Sequence, residues 1–219
     1  MHFMIRTSGS KRGLQTADKR LTEWVEWRAA KTGQKENAAG GKRDRIESEW
    51  MGNRAEMAQD GTEAGKVMLI SQITEEHEKK QLARGILEAL PDWFGIPEAR
   101  EEYIRESNGK DFFAAYQGEK PIGFLYLKET GKDTAELAVM GILKEYHRQG
   151  AGRMLFDEAK EAARKKGYSF LQVKTVQMGR YEEYDRTNAF YLALGFREFE
   201  VFPTLWDECN PCQVYVMAL

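Results

Sequence analysis

The alternation of hydrophobic and polar positions in this 219-residue chain changes near Lys66. From Val67 onward it follows clear periods. Val67 to Thr74 reads as a strand and Glu75 to Leu90 as a helix closed by Pro91. Pro97 to Ser107 reads as a second helix, with proline in its first turn and Asn108-Gly109 at its end. Asp111 to Tyr116 and Ile122 to Lys128, joined through Gly118-Glu119, form a hairpin, and Thr134 to Leu143 a longer strand. Gly152 to Lys166 is helical, Tyr168 to Val176 is rich in strand formers, and Asp185 to Leu194 is a helix stopped by Gly195. Phe196 to Phe202 and Gln213 to Met217 are the last strands. The pattern predicts one mixed α/β (α+β) domain over residues 67–219, with helices flanking a central sheet.

Residues 1–66 lack such periodicity. They contain six Leu, Ile, Val and Phe residues, below the roughly 20% share that a packed domain needs. The expectation is a non-globular extension, mostly disordered or with short helices near Leu21–Arg28 and Ile46–Met51. The segment is mildly basic, 13 Lys and Arg against 10 Asp and Glu, while the whole chain has a net charge of −2. A docking arm is the functional alternative, and translation beginning near Met68 is another, which the intact mass of the native protein would decide. The near-neutral balance speaks against a nucleic-acid binder. No apolar run approaches the roughly 20 residues that span a bilayer, and the first residues contain no secretory core, so a cytoplasmic protein is expected. Cys209 and Cys212 are too few for a disulfide framework. Their spacing is that of half a metal site without a second half, so no metal is expected.

The most informative stretch is His147-Arg148-Gln149-Gly150-Ala151-Gly152-Arg153, which joins a hydrophobic strand to an amphipathic helix. A helix start has unpaired N–H groups and partial positive charge, and glycines allow an anion to approach those amides. The loop does not end in Gly-Lys-Ser/Thr and does not continue as a dinucleotide fingerprint. A tight strand-to-helix turn without a ligand is the plain alternative.

This loop is similar to the Gln/Arg-x-x-Gly-x-Gly/Ala loop of the GCN5-related N-acetyltransferase superfamily. Thr187-Asn188-Ala189-Phe190-Tyr191-Leu192-Ala193-Leu194-Gly195-Phe196 resembles that family's helix ending in Phe-Tyr-x-x-x-Gly-Phe. The resemblance covers roughly residues 67–219. It implies a largely antiparallel sheet splayed between strands four and five, with acetyl-CoA as acyl donor. It also implies a pyrophosphate held by Arg148, Gln149, Gly150, Ala151, Gly152 and Arg153, and a pantetheine arm pairing with Ile142 and Leu143 like an added strand. Asn188 is a further cofactor candidate. The segments Leu90 to Pro97 and Phe202 to Trp206 resemble a bacterial subgroup, and by that resemblance Trp93, Phe94, Tyr103 and Trp206 line the acceptor site.

The resemblance further implies direct attack of a primary amine on the thioester within a ternary complex. Tyr191 is then the general acid for the departing thiolate; packing in the core is its structural alternative. Glu136, fourteen residues before Gly150, is the base candidate by offset. Unbroken period-two alternation places it on one face with Ala138, Met140 and Ile142, in an apolar setting. A salt-bridged or solvent-facing glutamate, with water or Glu182 or Glu183 as base, stays open. Strand-four amides near Met140 to Ile142 would bind the oxyanion. The acceptor is left as a small-molecule or peptide amine, with a homodimer open. A non-catalytic acyl-CoA sensor or interaction module is the alternative function.

Overall fold

The computed structural model describes residues 67–219; the expectations for residues 1–66 lie outside the described residues. The chain runs β1 (Met68–Ile73), α1 (Glu76–Glu88), α2 (Pro97–Glu106), β2 (Asp111–Gln117), β3 (Lys120–Gly131) and β4 (Thr134–Ile142). After a short 3-10 turn, Lys144–Tyr146, come α3 (Ala151–Lys165), β5 (Phe170–Val176), α4 (Glu182–Leu194), β6 (Arg197–Asp207) and β7 (Asn210–Ala218). Each predicted element is present with ends shifted by a few residues. The punctuation works as read: Pro97 sits in the first turn of α2, and Gly195 ends α4 at φ 99°. No helix among the described residues is long and apolar enough to cross a membrane.

Seven strands form one sheet in the order β1-β2-β3-β4-β5-β7-β6. Every neighbouring pair is antiparallel except β4 and β5. Those two are parallel and pair at only three positions, Thr134 with Phe170, Ala135 with Leu171 and Glu136 with Gln172. Beyond Glu136 they separate, so the predicted splay between strands four and five is present.

Each face of the sheet has its own core. Leu155, Phe156 and Ala159 of α3 and Tyr191 and Leu194 of α4 pack with Phe113, Leu125, Leu127, Leu137 and Val173 on one face. Leu82, Ile86 and Leu87 of α1 and Ile104 of α2 pack on the other with Phe112, Phe124 and Tyr126, whose rings stack in series. Removing so many aromatic and aliphatic groups from water stabilises each layer by roughly 1.5–3 kcal/mol per fully buried large side chain.

A bulge in β4 corrects the face assigned to Glu136. Tyr126 pairs with Val139 and Leu127 with Leu137, so Ala138 is the extra residue. Before the bulge Ala135 and Leu137 face α3; after it Met140 and Ile142 do, and Val139 faces α1. Glu136 therefore lies on the α1–α2 face, opposite to Met140 and Ile142. A second irregularity lies in β6, where Pro203 to Trp206 stand against Pro211 alone between the pairs Phe202–Cys212 and Asp207–Asn210.

Candidate active site

The chain leaves β4 at the open end of the splay and enters α3 through two left-handed residues, Arg148 at φ 59° and Gly150 at φ 92°. For arginine this conformation costs on the order of 1 kcal/mol. No side chain caps the first amides of α3, which are left without intrahelical partners. Gly152 serves close packing. A Cβ there would stand 3.0 Å from Phe190 Cζ and 3.1 Å from Met140 Cε, so the helix start is pressed against α4 and β4. Ala151 is fully buried and offers only backbone. Two polar side chains of the loop are tied down: Gln149 Nε2 donates to the Glu145 carbonyl at 2.7 Å and Arg153 Nη2 to the Ala193 carbonyl at 3.0 Å. Arg148 is exposed.

Leu143 does not face the gap. Its N–H donates to the Ile122 carbonyl of β3 at 2.8 Å and its carbonyl accepts from Tyr146 at 2.9 Å. Both backbone groups are taken, which corrects its expected pairing with an incoming arm. Antiparallel alternation then turns the backbone groups of Met140 and Ile142 toward β5 and the gap. His147 Nε2 donates to the Ile142 carbonyl at 2.8 Å.

Tyr191 is buried in the α3–α4 core, with its ring 5.9 Å from that of Phe196 and 6.4 Å from that of Tyr215. Burial, and secondarily the charge of Glu136, push its phenol well above the usual tyrosine range, so it is a protonated donor. Asn188 is fully buried as well. Its Nδ2 donates to the carbonyls of Val176 at 3.0 Å and Tyr184 at 2.6 Å, and its Oδ1 accepts from Tyr215 at 2.7 Å. These bonds tie α4 to β5 and β7, a structural role in place of the expected cofactor contact.

Glu136 is not in an apolar setting. Its Oε2 accepts from Lys174 Nζ at 2.6 Å and from Gln172 Nε2 at 3.3 Å, both on β5. The ion pair spans the gap just past the last β4–β5 pair. Sequence reasoning missed Lys174 and Gln172, although their alternation with buried Leu171 and Val173 was a readable signal.

Three of the four aromatic acceptor candidates cluster in and after the α1–α2 connection. Phe94 meets Tyr103 edge-on at 5.9 Å, and Trp93 meets His147 edge-on at 5.9 Å. The Trp93 carbonyl accepts from the Tyr184 hydroxyl at 3.2 Å, while Lys144 stands over the Trp93 ring and pairs with Asp92. The connection thus touches both His147, at the turn that leads into α3, and Tyr184 of α4. Burial, then the charges of Glu106 and Glu136, raise the Tyr103 phenol. Trp206 lies half-buried in the β6 irregularity, on a separate element. Cys209 is exposed, whereas Cys212 is buried and its thiol is pushed up to about 12, chiefly by burial. Among the described residues no group of three His, Cys, Asp or Glu side chains converges as for a metal ion.

Residues 108–198 match the acetyltransferase (GNAT) domain. It is 26% identical over 106 residues to an uncharacterised N-acetyltransferase of Chlorobaculum tepidum, a match over 47% of this chain and 62% of that protein's length. A protein of Desulfovibrio desulfuricans assigned to the GNAT family superposes with TM-score 0.61 at 18% identity, over 69% of this chain and 99% of the other. A protein of Salmonella typhimurium solved with its cofactor acetyl-CoA superposes with TM-score 0.55 at 12% identity, over 69% and 97%.

Proposed function

We propose that residues 67–219 form an acetyl-CoA-dependent N-acetyltransferase domain that moves an acetyl group to a primary amine by direct attack within a ternary complex. The observation that carries this reading is the uncapped start of α3 at the open end of the β4–β5 splay. The acetyl-CoA carried by the Salmonella typhimurium neighbour of the same fold supports it. In this reading the first amides of α3, with exposed Arg148, hold the pyrophosphate. The backbone of Met140 and the Ile142 amide line the pantetheine path, and a β4 amide near Met140 receives the developing oxyanion.

The donor supplies an activated acyl group: the amine nitrogen bonds to the carbonyl carbon, the C–S bond breaks, and the thiolate takes a proton. Tyr191 is the group assigned to that proton. Its raised pKa makes full transfer uphill to a thiolate of thiol pKa about 8.5, so its contribution is a hydrogen bond that stabilises the leaving sulfur as much as proton delivery. Glu136 is held by Lys174, and proton removal from the amine passes to it through water. The acceptor, a small-molecule or peptide amine, approaches over Trp93, Phe94 and Tyr103, with Trp206 on the β6 side.

The burial of Tyr191 among core rings favours a second reading, a non-catalytic acyl-CoA-binding module. Calorimetric titration of acetyl-CoA into the full chain, with thiol release measured across a panel of amines, separates the two. Binding with turnover supports the transferase, binding without turnover supports the module, and no binding removes both.

A further inference from the structure

The segment from Trp93 to Arg100 carries two buried N–H donors that find no partner among the described residues, the Trp93 indole Nε1 and the Arg100 Nε. Native proteins pair nearly all such groups, so each unpaired donor requires an explanation. Arg84, Arg105, Arg164 and Arg186 each pair with a glutamate, whereas Arg100, like Arg148, Arg153, Arg180 and Arg197, has no ion pair among the described residues, and its Nη1 donates to the Phe94 carbonyl at 3.4 Å. With Nη1 directed at the loop, the Nε edge of the fork is left over. That edge receives a carboxylate side-on through two parallel hydrogen bonds.

Both donors belong to the acceptor side. Arg100 and Tyr103 are three residues apart on α2 and share a face. Tyr103 packs on Phe94 and feels the charge of Glu136 from the sheet below. Trp93 reaches α4 through Tyr184 and the phosphate-loop approach through His147. The α1–α2 layer therefore has two unpaired donors, and the sheet beneath it carries Glu136 paired with Lys174.

We infer that the acceptor is an amine bearing a carboxylate close to its nitrogen, of the amino-acid class, with the Arg100 Nε edge and the Trp93 indole N–H taking the carboxylate. Glu136, whose Oε2 is shared with Lys174 and Gln172, accepts a hydrogen bond from the ammonium end through its other oxygen before the amine gives up its proton. This inference rests on the transferase reading. It excludes polyamines and internal lysines of proteins as preferred acceptors, because neither brings an anion to the α1–α2 layer.

The test measures acetylation by the full chain of free amino acids, their neutral amides and their decarboxylated amines, beside calorimetry of acetyl-CoA binding. The expected result is a preference of about tenfold or more for at least one free amino acid over its amide and amine, expressed in KM. Arg100→Met collapses that ratio towards one, Trp93→Phe reduces it while keeping the ring, and Arg100→Lys restores part of it through charge alone. Equal or better turnover of the amides and amines overturns the inference, as does a ratio that Arg100→Met leaves intact. A chain that binds acetyl-CoA and acetylates no member of the panel also overturns it. Failure to bind acetyl-CoA overturns the transferase reading instead, so the two failures are distinguishable.

Discussion

On the α3 side of the β4–β5 gap the groups offered to a ligand are mostly backbone: the first amides of a helix, a strand edge, and glycines that turn or thin the chain. On the α1–α2 side they are side chains: the Trp93 indole and the Arg100 guanidinium of that layer, and the Glu136–Lys174 pair of the strands beneath it. Backbone chemistry is common to every amino acid, so the first side suits a ligand part that never varies. Side-chain chemistry is specific to each position, so the second suits the partner that distinguishes one acetyltransferase from another. Substitutions on the two sides should accordingly divide between donor affinity and acceptor choice.

Gly150→Glu is expected to have the largest effect. It forces a left-handed conformation on a residue with a Cβ and sets a negative charge at the helix start, lowering acetyl-CoA affinity on the order of a hundredfold. Calorimetry on a chain with unchanged circular dichroism checks this. Retained affinity would place the donor elsewhere. Tyr191→Phe keeps the packed ring and removes the hydroxyl, so turnover should fall roughly ten- to a hundredfold while acetyl-CoA affinity holds. Unchanged turnover in steady-state kinetics would leave Tyr191 as a core residue and nothing more.

Lys174→Met isolates Glu136, whose side chain is only 13% exposed against 28% for the lysine. The expected loss is about 1 kcal/mol, discounted for solvent access, and Glu136→Gln in the same chain should recover part of it. Urea denaturation of the four chains of that cycle gives the coupling, and strict additivity would deny the pair any energetic role.

The smallest expected effect is at Glu76 on α1. Burial pushes its carboxyl up, but the Lys79 ammonium and the Gly109 amide, each donating to it at 3.0 Å, outweigh burial and hold it below its usual 4.5. A carboxyl whose pKa is lowered by folding stabilises the native state above its unfolded pKa, and that stability is lost as pH falls through the folded one. Glu76→Gln should therefore lower the urea midpoint slightly at neutral pH, flatten its decline below about pH 4.5 and converge with the unaltered chain in acid. An unchanged acid limb would remove Glu76 as its source.

How far the sequence could be read follows the same division. The α3 side was legible because its requirements are local: Gly150 and Gly152 lie in one short loop, and Tyr191 four residues before Gly195. Legibility failed where a group depends on what lies across the fold. Asn188 reads as a polar helix residue near a motif, but the partners that occupy it are on β5 and β7. Glu136 was assigned to the wrong face because period-two counting fails at a single extra residue, Ala138, and no propensity marks that position as a bulge. Leu143 continues the strand pattern smoothly, yet its hydrogen bonds run to β3, a matter of ladder phase that side-chain pattern does not encode. Arg100 was invisible in the sequence, where Glu98, Glu101 and Glu102 stand beside it; that none of them pairs with it among the described residues is a matter of helix geometry.

The interrupted ladder of β6 bears on how the molecule behaves in a crowded solution. β6 ends the sheet, and it carries Phe199 at 65% exposure, the combination that invites another chain to add itself edge to edge. Its register with β7 shifts twice, between Glu198 and Glu200 and again between Phe202 and Asp207, and Pro203 has no N–H to offer. A newcomer finds only short stretches of regular edge, flanked by the charges of Arg197, Glu198 and Glu200. The irregularity that carries Trp206 thus also guards the sheet against fibrous growth, and straightening it by deleting residues 203–205 should turn a clear concentrated solution turbid.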